Sequence, residues 1–307
     1  MQTKLAETAG FCFGVDRAVA LVEQAVREGK RVATLGPIIH NRHVIERFKT
    51  LGVREIAAPE AAAGECVVIR SHGVSRAVME ALEKMGVEIV DATCPFVKKI
   101  HRIISAAAEN GQQPVIIGTR AHPEVQAIAG WCSAPLVFET PEEFASWLAD
   151  DAKRTEIPIR MVCQTTSTQN LWKKTCEIAK KECTNCEIFD TICKATEMRQ
   201  KEATALAKQC DAMVVVGDAR SSNTGRLADI CRQYCKHVAL VDSAAELDML
   251  LLSNAKTVGI TAGASTPAWI IKEVNNKMSE EMKVETAMEE NFAELLEQSL
   301  KTLNNGD

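Results

Sequence analysis

The chain has 307 residues, and 36 Lys and Arg against 41 Asp and Glu give it a formal charge of −5 at pH 7. Hydrophobic residues make up 46% and charged residues 25%, as in soluble globular proteins, whereas aromatic residues make up only 4%. The acidic balance and the few aromatic residues argue against a general nucleic-acid-binding surface. No apolar run of about 18 residues and no signal-like start occurs, so we expect a cytoplasmic protein without a membrane span.

Short β-branched runs alternate with helical patterns from the start of the chain to about residue 280. In chain order, strands are predicted at 31–36, 66–70, 87–92, 114–118, 159–163, 212–217, 237–242 and 257–261. Helical periodicity fills the gaps, as in residues 15–29 and 205–210. Short apolar runs separated by helices are typical of parallel α/β sheets that are covered on both faces.

One spacing of cysteine, glycine and polar residues occurs three times. A glycine that ends a predicted strand follows each of Cys12, Cys94 and Cys193 by 24 residues. A polar residue lies four positions beyond each glycine, and a second one follows a later strand of the same unit. These polar residues are His40 and His72, His122 and Thr165, and Ser221 and Ser265. The spacing therefore predicts three pseudo-repeated α/β lobes with small parallel sheets. The lobes are predicted at residues 13–94, 95–192, and 1–12 together with 193–282.

The three repeated cysteines indicate a metal centre. Because ligands bind at the carboxyl ends of parallel strands, Cys12, Cys94 and Cys193 reach one cavity if the lobes meet about a pseudo-threefold axis. Soft sulfur ligands select an iron–sulfur cluster or zinc. A [4Fe–4S] cluster on three thiolates has one open iron, which can act as a Lewis acid. Cys183 and Cys186 form a CxxC pair, but no second pair lies nearby, so we interpret this pair as structural.

The repeated polar residues have the chemistry of an oxyanion pocket. Three of the six histidines lie in strand-to-helix loops, and Ser221, Ser222 and Asn223 begin a predicted helix. Imidazoles, hydroxyls and helix N-termini together bind phosphate or diphosphate, and no standard nucleotide-binding glycine loop occurs. Glu124 follows His122 closely, and burial there would raise its pKa as a proton donor requires. Thr165 could hold a substrate hydroxyl.

Nine motifs occur in the order of a known family. They are GFCFGVDRAV, HNRHV, SHGVS, VDATCPFV, HPEV, QTT, ICKAT, SSNTGRL and TAGAST. They closely resemble motifs of the 4-hydroxy-3-methylbut-2-enyl diphosphate reductases of the non-mevalonate isoprenoid pathway, and the resemblance covers about residues 1–280.

The resemblance implies a trefoil of three α/β lobes around a central iron–sulfur cluster. It implies Cys12, Cys94 and Cys193 as ligands of a [4Fe–4S] cluster with one open iron. It implies Glu124 as proton donor and Thr165 as a contact of the substrate hydroxyl. The implied diphosphate-binding residues are His40, His72, His122, Ser221, Ser222, Asn223 and Ser265.

The implied reaction is a reductive dehydroxylation of the allylic diphosphate to isopentenyl diphosphate and dimethylallyl diphosphate. Two electrons would come from a ferredoxin or flavodoxin, because the chain has no visible flavin or nicotinamide motif. Two other functions stay open from the residues alone. A non-redox iron–sulfur hydro-lyase would need no external electrons, and an iron–sulfur redox sensor would have no use for a diphosphate pocket.

The end of the chain departs from the family pattern. Residues 283–307 are acidic and helical in pattern, with Leu295, Leu296, Leu300 and Leu303 on one helical face. They resemble the lead-in to a ribosomal protein of OB repeats that some bacteria fuse to this reductase. We therefore expect a helical or disordered tail from such a fusion, with a solvated tail or dimer-contact helix as the alternative.

Overall fold

A computed structural model describes residues 2–280, so the predicted tail at 283–307 lies outside the described residues. The described chain contains three parallel sheets of four strands each, which confirms the predicted α/β fold of three small parallel sheets. Helices connect the strands. None of the helices between residues 2 and 280 is both long and apolar enough to cross a membrane.

The strands group by sheet along the chain. The first sheet contains β2 (Val32–Leu35), β3 (Arg54–Ile56), β4 (Cys66–Ile69) and β5 (Ile89–Asp91). The second contains β6 (Gln113–Ile117), β7 (Leu136–Phe138), β8 (Ile159–Cys163) and β9 (Cys186–Ile188). The third contains β10 (Ala212–Val216), β11 (His237–Val241), β12 (Thr257–Ala262) and β1 (Gln2–Leu5).

Helices follow most of the strands. They are α1 (Phe13–Arg27), α2 (Arg42–Thr50), α3 (Arg76–Met85), α4 (Pro95–Glu109), α5 (Pro123–Ala129), α6 (Pro141–Ala149), α7 (Gln169–Glu182), α8 (Lys194–Ala207), α9 (Ser222–Tyr234) and α10 (268–280). Proline is the first residue of α4, α5 and α6, where its missing N–H would have no helical partner.

All three sheets have the same strand order. The orders are β3-β2-β4-β5, β7-β6-β8-β9 and β11-β10-β12-β1. If the four strands of each repeat are numbered 1 to 4, each sheet has the order 2-1-3-4. In the third sheet, β1 from the start of the chain takes the fourth position and pairs with β12. The glycines that end β2, β6 and β10 each donate their N–H to the carbonyl at the end of the neighbouring strand, at 2.8–2.9 Å. The repeat in the sequence is therefore a repeat of topology, whereas the lobe boundaries stay a prediction.

Each sheet is covered by apolar side chains on both faces. In β10, Val214 and Val216 belong to one buried cluster, whereas Met213 and Val215 belong to another. Alternation along a strand sends successive side chains to opposite faces, so a strand with two covered faces is a continuous apolar run. The first and second sheets likewise each have two clusters. Because both of their faces are buried, the central strands are continuous apolar runs, and the sequence could predict them.

The eight predicted strands are all present, and four short strands were missed. The missed strands are β1, β3, β7 and β9, which have three or four residues and lie at sheet edges. Most of their residues are exposed or only partly buried, so they lack an apolar run. The helix predicted at 15–29 is α1, and the pattern at 205–210 is the end of α8, which stops at Ala207.

Candidate functional site

The three repeated cysteines each precede a helix and face one cavity. Cys12, Cys94 and Cys193 are the N-cap residues of α1, α4 and α8, and none uses its sulfur to cap its helix. Their backbone N–H groups donate to the carbonyls of Ala264, Ser71 and Thr165, respectively, at 2.9–3.2 Å. All three line the same cavity. The partial positive charge of a helix N-terminus stabilises an anionic sulfur, so the site is suited to thiolates.

The spacing of the sulfurs favours a cluster over a single ion. Three thiolates on one tetrahedral zinc ion, each about 2.3 Å from the metal, would lie about 3.8 Å apart. Among the described residues, only His40, His72 and His122 form a group whose ligand atoms all lie within 4.8 Å of one another. The three cysteine sulfurs are therefore spread more widely, which fits ligands of different metal atoms of one cluster. This donor set agrees with an iron–sulfur cluster.

Gly14 allows the sulfur of Cys94 to lie against α1. A Cβ at residue 14 would lie 2.6 Å from the Sγ of Cys94, which is closer than any ordinary contact. Only glycine leaves this space at that position. Gly14 lies in α1, so it leaves this space for a cysteine that precedes another helix, α4.

Burial favours the protonated thiols of Cys94 and Cys193 when no metal is bound. It raises the pKa of Cys94 to about 11, although the backbone N–H groups of Phe96 and Val97 act in the opposite direction. Burial also raises the pKa of Cys193, against N–H groups of Ala195 and Thr196. A thiol that ligates a metal loses its proton on binding. A bound cluster would therefore form with proton release at these positions.

Three histidines form one wall of the cavity. The ring centroids of His40 and His72 are 4.7 Å apart, those of His72 and His122 are 5.4 Å apart, and those of His40 and His122 are 5.7 Å apart. Burial lowers the pKa of His40, lowers that of His72 well below its usual value, and lowers that of His122 to about 4. At neutral pH these rings are uncharged.

The position of one imidazole proton follows from a backbone contact. The Nδ1 of His122 accepts a hydrogen bond of 3.1 Å from the N–H of Glu124 at the start of α5. A neutral imidazole whose Nδ1 is an acceptor has its proton on Nε2. His122 can therefore donate from Nε2 to an oxygen of a ligand.

Hydroxyl groups at the start of α9 and after β12 line the same cavity. Ser221 is the N-cap of α9, and its Oγ accepts from the N–H of Thr224. Ser265, after β12, donates its hydroxyl to Ser221 at 3.3 Å, and Ser222 contacts the hydroxyl of Thr166 at 3.2 Å. The start of α9 thus presents hydroxyls together with the positive end of a helix dipole, which is an arrangement that binds anions.

Unpartnered polar atoms concentrate at this cavity. Among the described residues, ten buried side-chain nitrogen and oxygen atoms have no hydrogen-bond partner. Five of the ten belong to residues that line the cavity: His40 Nε2, His72 Nδ1, Arg199 Nε, and Asn223 Oδ1 and Nδ2. Buried polar atoms in folded proteins are almost always hydrogen-bonded. The concentration of exceptions here indicates a site for a polar ligand.

Glu124 and Thr165 form a buried pair beside the histidines. The backbone N–H of Thr165 donates to Oε1 of Glu124 at 2.7 Å, and its hydroxyl donates to Oε2 at 2.6 Å. Burial raises the pKa of Glu124, although the two Thr165 donors and Arg226 act against it. A carboxyl with a raised pKa retains its proton further toward neutral pH, so Glu124 can hold a proton next to the ligand site.

The cavity brings together all twelve site residues predicted from the sequence, and it contains others that were missed. The missed lining residues include Thr166, Thr196 and Arg199. Thr166 lies in the QTT motif, which offered a signal. Arg199 lies within α8 in an ordinary helical pattern, and only its burial at 4% exposure distinguishes it.

The CxxC cysteines lie elsewhere. Cys183 and Cys186, with Cys176, pack partly buried against the apolar core of the second sheet. Burial raises the pKa of Cys186 to about 12. This packing supports the interpretation of the pair as structural.

Comparisons with known proteins agree with these motifs. A family model described as LytB protein matches residues 3–279. The chain is 40% identical over 283 residues to the 4-hydroxy-3-methylbut-2-enyl diphosphate reductase of Caldanaerobacter subterraneus subsp. tengcongensis, which covers 91% of this chain and 96% of that protein.

Two solved structures have a similar fold. One is described as (E)-4-hydroxy-3-methyl-but-2-enyl diphosphate reductase, the terminal enzyme of the non-mevalonate pathway. It has a TM-score of 0.67 and 37% identity over 91% of this chain and 100% of that one. The other, the E-1-hydroxy-2-methyl-but-2-enyl-4-diphosphate reductase from Plasmodium falciparum, has a TM-score of 0.80 over 90% of this chain and 87% of that one. Its identity of 24% supports the fold alone. These matches confirm the resemblance read from the motifs, and because the family model spans residues 3–279, the chain belongs to the LytB protein family.

Proposed function

We propose that this protein is an oxidoreductase that converts 4-hydroxy-3-methylbut-2-enyl diphosphate to isopentenyl diphosphate and dimethylallyl diphosphate. The observation that carries the proposal is one cavity lined by three cysteines that each precede a helix, by three neutral histidines and by several unpartnered polar atoms. The reaction replaces an allylic hydroxyl by hydrogen and releases water, and it consumes two electrons and two protons.

Cys12, Cys94 and Cys193 would hold a [4Fe–4S] cluster. The wide spacing of the sulfurs and the space left by Gly14 fit this group. When bound, it would supply electrons one at a time and an open iron for the substrate hydroxyl. The twelve free cysteines also support a reducing, cytoplasmic location.

The diphosphate would lie between the histidines and the start of α9. Neutral imidazoles can donate from one nitrogen without the cost of burying a charge, and His122 has its Nε2 proton available. Asn223, with both side-chain polar atoms unpartnered, would bind a phosphate oxygen through Nδ2. The other contacts would come from His40, His72, Ser221, Ser222 and Ser265. The helix dipole of α9 favours the negative charge.

Glu124 would be the proton donor. Its Oε2 lies 2.6 Å from the Thr165 hydroxyl, so a proton on the carboxyl is held beside a group that can also contact the substrate hydroxyl. Departure of the hydroxyl as water needs one proton, and formation of the new C–H bond needs the other. Burial of the pair excludes bulk water, so the protons are delivered from defined atoms.

The electrons would arrive from an acidic ferredoxin or flavodoxin at the face where α1, α4 and α8 begin. Phe13, Phe96 and Met198 are 66%, 47% and 59% exposed, and each lies within five residues of a cluster cysteine. Exposed apolar side chains next to the cluster cysteines are typical of an interaction surface. Lys99 and Lys194 are exposed on the same helices, so this face complements an acidic partner.

A charge-reversal experiment tests this surface. We expect Lys99→Glu with Lys194→Glu to raise the KM for reduced ferredoxin or flavodoxin by about tenfold or more and to leave dithionite-driven turnover unchanged. Lys180→Glu, at the far end of α7, is the matched control and should change neither. Equal loss with both reductants would contradict the surface.

Anaerobic purification tests the function itself. We expect four irons and four sulfides per chain (from the proposed cluster), an EPR or Mössbauer signal that changes on addition of the allylic alcohol diphosphate, and reductant-dependent formation of both products. Turnover without a reductant would instead indicate a hydro-lyase. A cluster whose spectrum does not change on addition of the allylic diphosphate would indicate a sensor. A protein that contains only zinc would refute the proposed cluster.

A further inference from the structure

Arg199 is a buried cation in the wall of the cavity. It lies on α8, six residues after Cys193, and is 4% exposed. Its Nη2 donates to the carbonyl of Gly10 at 2.6 Å, and its Nη1 donates to the carbonyl of Ala195 at 3.2 Å. Its Nε is buried without a hydrogen-bond partner. Both contacts are with backbone carbonyls, so the positive charge itself is not neutralised by them.

A buried charge without a close counter-charge is strongly unfavourable. The groups that would offset it are Cys12 and Cys193, once they are thiolates that bind a cluster, together with the carboxylate of Glu202. Burial lowers the pKa of Arg199, and the groups that act most strongly against this are Cys12 and Cys193, ahead of Glu202. A guanidinium stays charged in proteins all the same. Arg199 also lines the same cavity as Cys12 and Cys193, so its charge lies in the wall that presents two of the three sulfurs that would hold the cluster.

We propose that Arg199 sets the reduction potential of the cluster, an inference that rests on the proposed function. Each electron accepted from the external carrier makes the cluster one charge more negative. A fixed cation in a buried, weakly polarisable site stabilises the more negative state more than the less negative one. Arg199 therefore raises the potential, and its Nε–H has no other hydrogen-bond partner in the described residues.

A purely structural role makes a different prediction. Arg199 contacts Gly10, and one turn later Glu202 accepts from the backbone N–H groups of Glu7 and Thr8 at 2.7 and 3.0 Å. Both side chains thus hold the segment that leads to Cys12. If holding this segment were the whole role, loss of either side chain would lower cluster content, and neither would change the potential of the cluster that remains.

The test is a redox titration of the anaerobically loaded protein, monitored by EPR, with iron and sulfide counted in each sample. The variants are Arg199→Gln, which removes the charge, Arg199→Lys, which keeps it, and Glu202→Gln, which loosens the segment but keeps Arg199. We expect Arg199→Gln to keep its iron and to have a lower midpoint potential. A tenfold loss of the preference for the reduced state corresponds to about 59 mV for one electron. Arg199→Lys should stay near the wild-type value, and Glu202→Gln should show no decrease.

Three results would overturn the inference. The first is an unchanged midpoint in iron-loaded Arg199→Gln. The second is an equal decrease in Arg199→Lys, which would show that the charge is not the cause. The third is an Arg199→Gln protein that cannot be loaded even by chemical reconstitution, which would assign the residue to assembly of the site. A wild-type protein without an iron–sulfur cluster would instead refute the proposed function, so the two failures are distinguishable.

Discussion

Replacement of Gly14 by alanine tests the cluster site through a single methyl group. The new Cβ would lie 2.6 Å from the Sγ and 3.2 Å from the Cβ of Cys94. Ordinary contacts between heavy atoms are about 3.5–4.0 Å, so the methyl group overlaps the sulfur by about 1 Å. Metal–ligand distances tolerate about 0.2 Å. We therefore expect Gly14→Ala to fold and to lose most of its iron, because the Cys94 sulfur must rotate away from the ligand position.

The size of the stability change can be compared with that of a second helical glycine. Gly225 lies in α9, and a Cβ there would meet nothing closer than 3.9 Å. Alanine in a helix is favoured over glycine by about 0.5–1 kcal/mol, so Gly225→Ala should be slightly stabilising. Overpacking costs about 1–3 kcal/mol, so Gly14→Ala should be less stable than Gly225→Ala by about that amount.

The assay is iron and sulfide content after anaerobic purification, followed by urea unfolding of both variants under the same conditions. Gly225→Ala should retain the wild-type iron content. A Gly14→Ala protein with full iron and wild-type stability would refute the reasoning, because it would show that Cys94 does not need this space to act as a ligand.

Three further predictions concern single side chains. Glu124→Gln should keep the iron content and abolish product formation, and an active variant would rule out Glu124 as proton donor. Wild-type turnover should fall as the pH rises through the raised pKa of Glu124, because the carboxyl then loses its proton. Burial lowers the pKa of His122 to about 4 from 6.5, so the contribution of the neutral ring to the free energy of unfolding is fully present above pH 6.5. It falls by about 1.4 kcal/mol per pH unit between pH 6.5 and pH 4. His122→Gln should reduce this pH dependence in urea unfolding, and an unchanged pH dependence would contradict the prediction. Cys193→Ser should lose iron and turnover together, whereas Cys186→Ser should keep both; iron loss in the second variant, measured by the same assay, would contradict its structural interpretation.

The shared strand order explains why one spacing could locate residues from three distant segments. In each sheet the first strand ends at a glycine and the third strand ends beside a polar residue. The cysteine after the fourth strand then donates its N–H to a carbonyl at the end of the third strand, as Cys94 does to Ser71. The carboxyl ends of parallel strands lie at one edge of a sheet. Residues with the same spacing along the sequence therefore occupy equivalent positions in the three sheets.

The sequence did not reveal the four short edge strands β1, β3, β7 and β9 or the buried cation, because neither has a local signal. The strand β9 (Cys186–Ile188) has three residues, and it exists because β8 offers a ladder of hydrogen-bonding groups. Arg199 occupies a helix whose pattern gives no reason to bury a guanidinium. Its burial follows from the segment around Gly10, which comes from the other end of the chain.

The sequence by itself therefore determined the α/β class, the central strands, the threefold repeat and the residues at the strand ends, because these depend on short apolar periods and on equal spacing along one chain. Only the tertiary structure decided the spread of the sulfurs, the hydrogen bonds between Glu124 and Thr165, and the burial of Arg199 in the cavity of Cys12 and Cys193. These depend on how elements from distant parts of the chain pack against one another, and the physical reason is that burial and distance, which set charge and reactivity, have no local signature in the sequence.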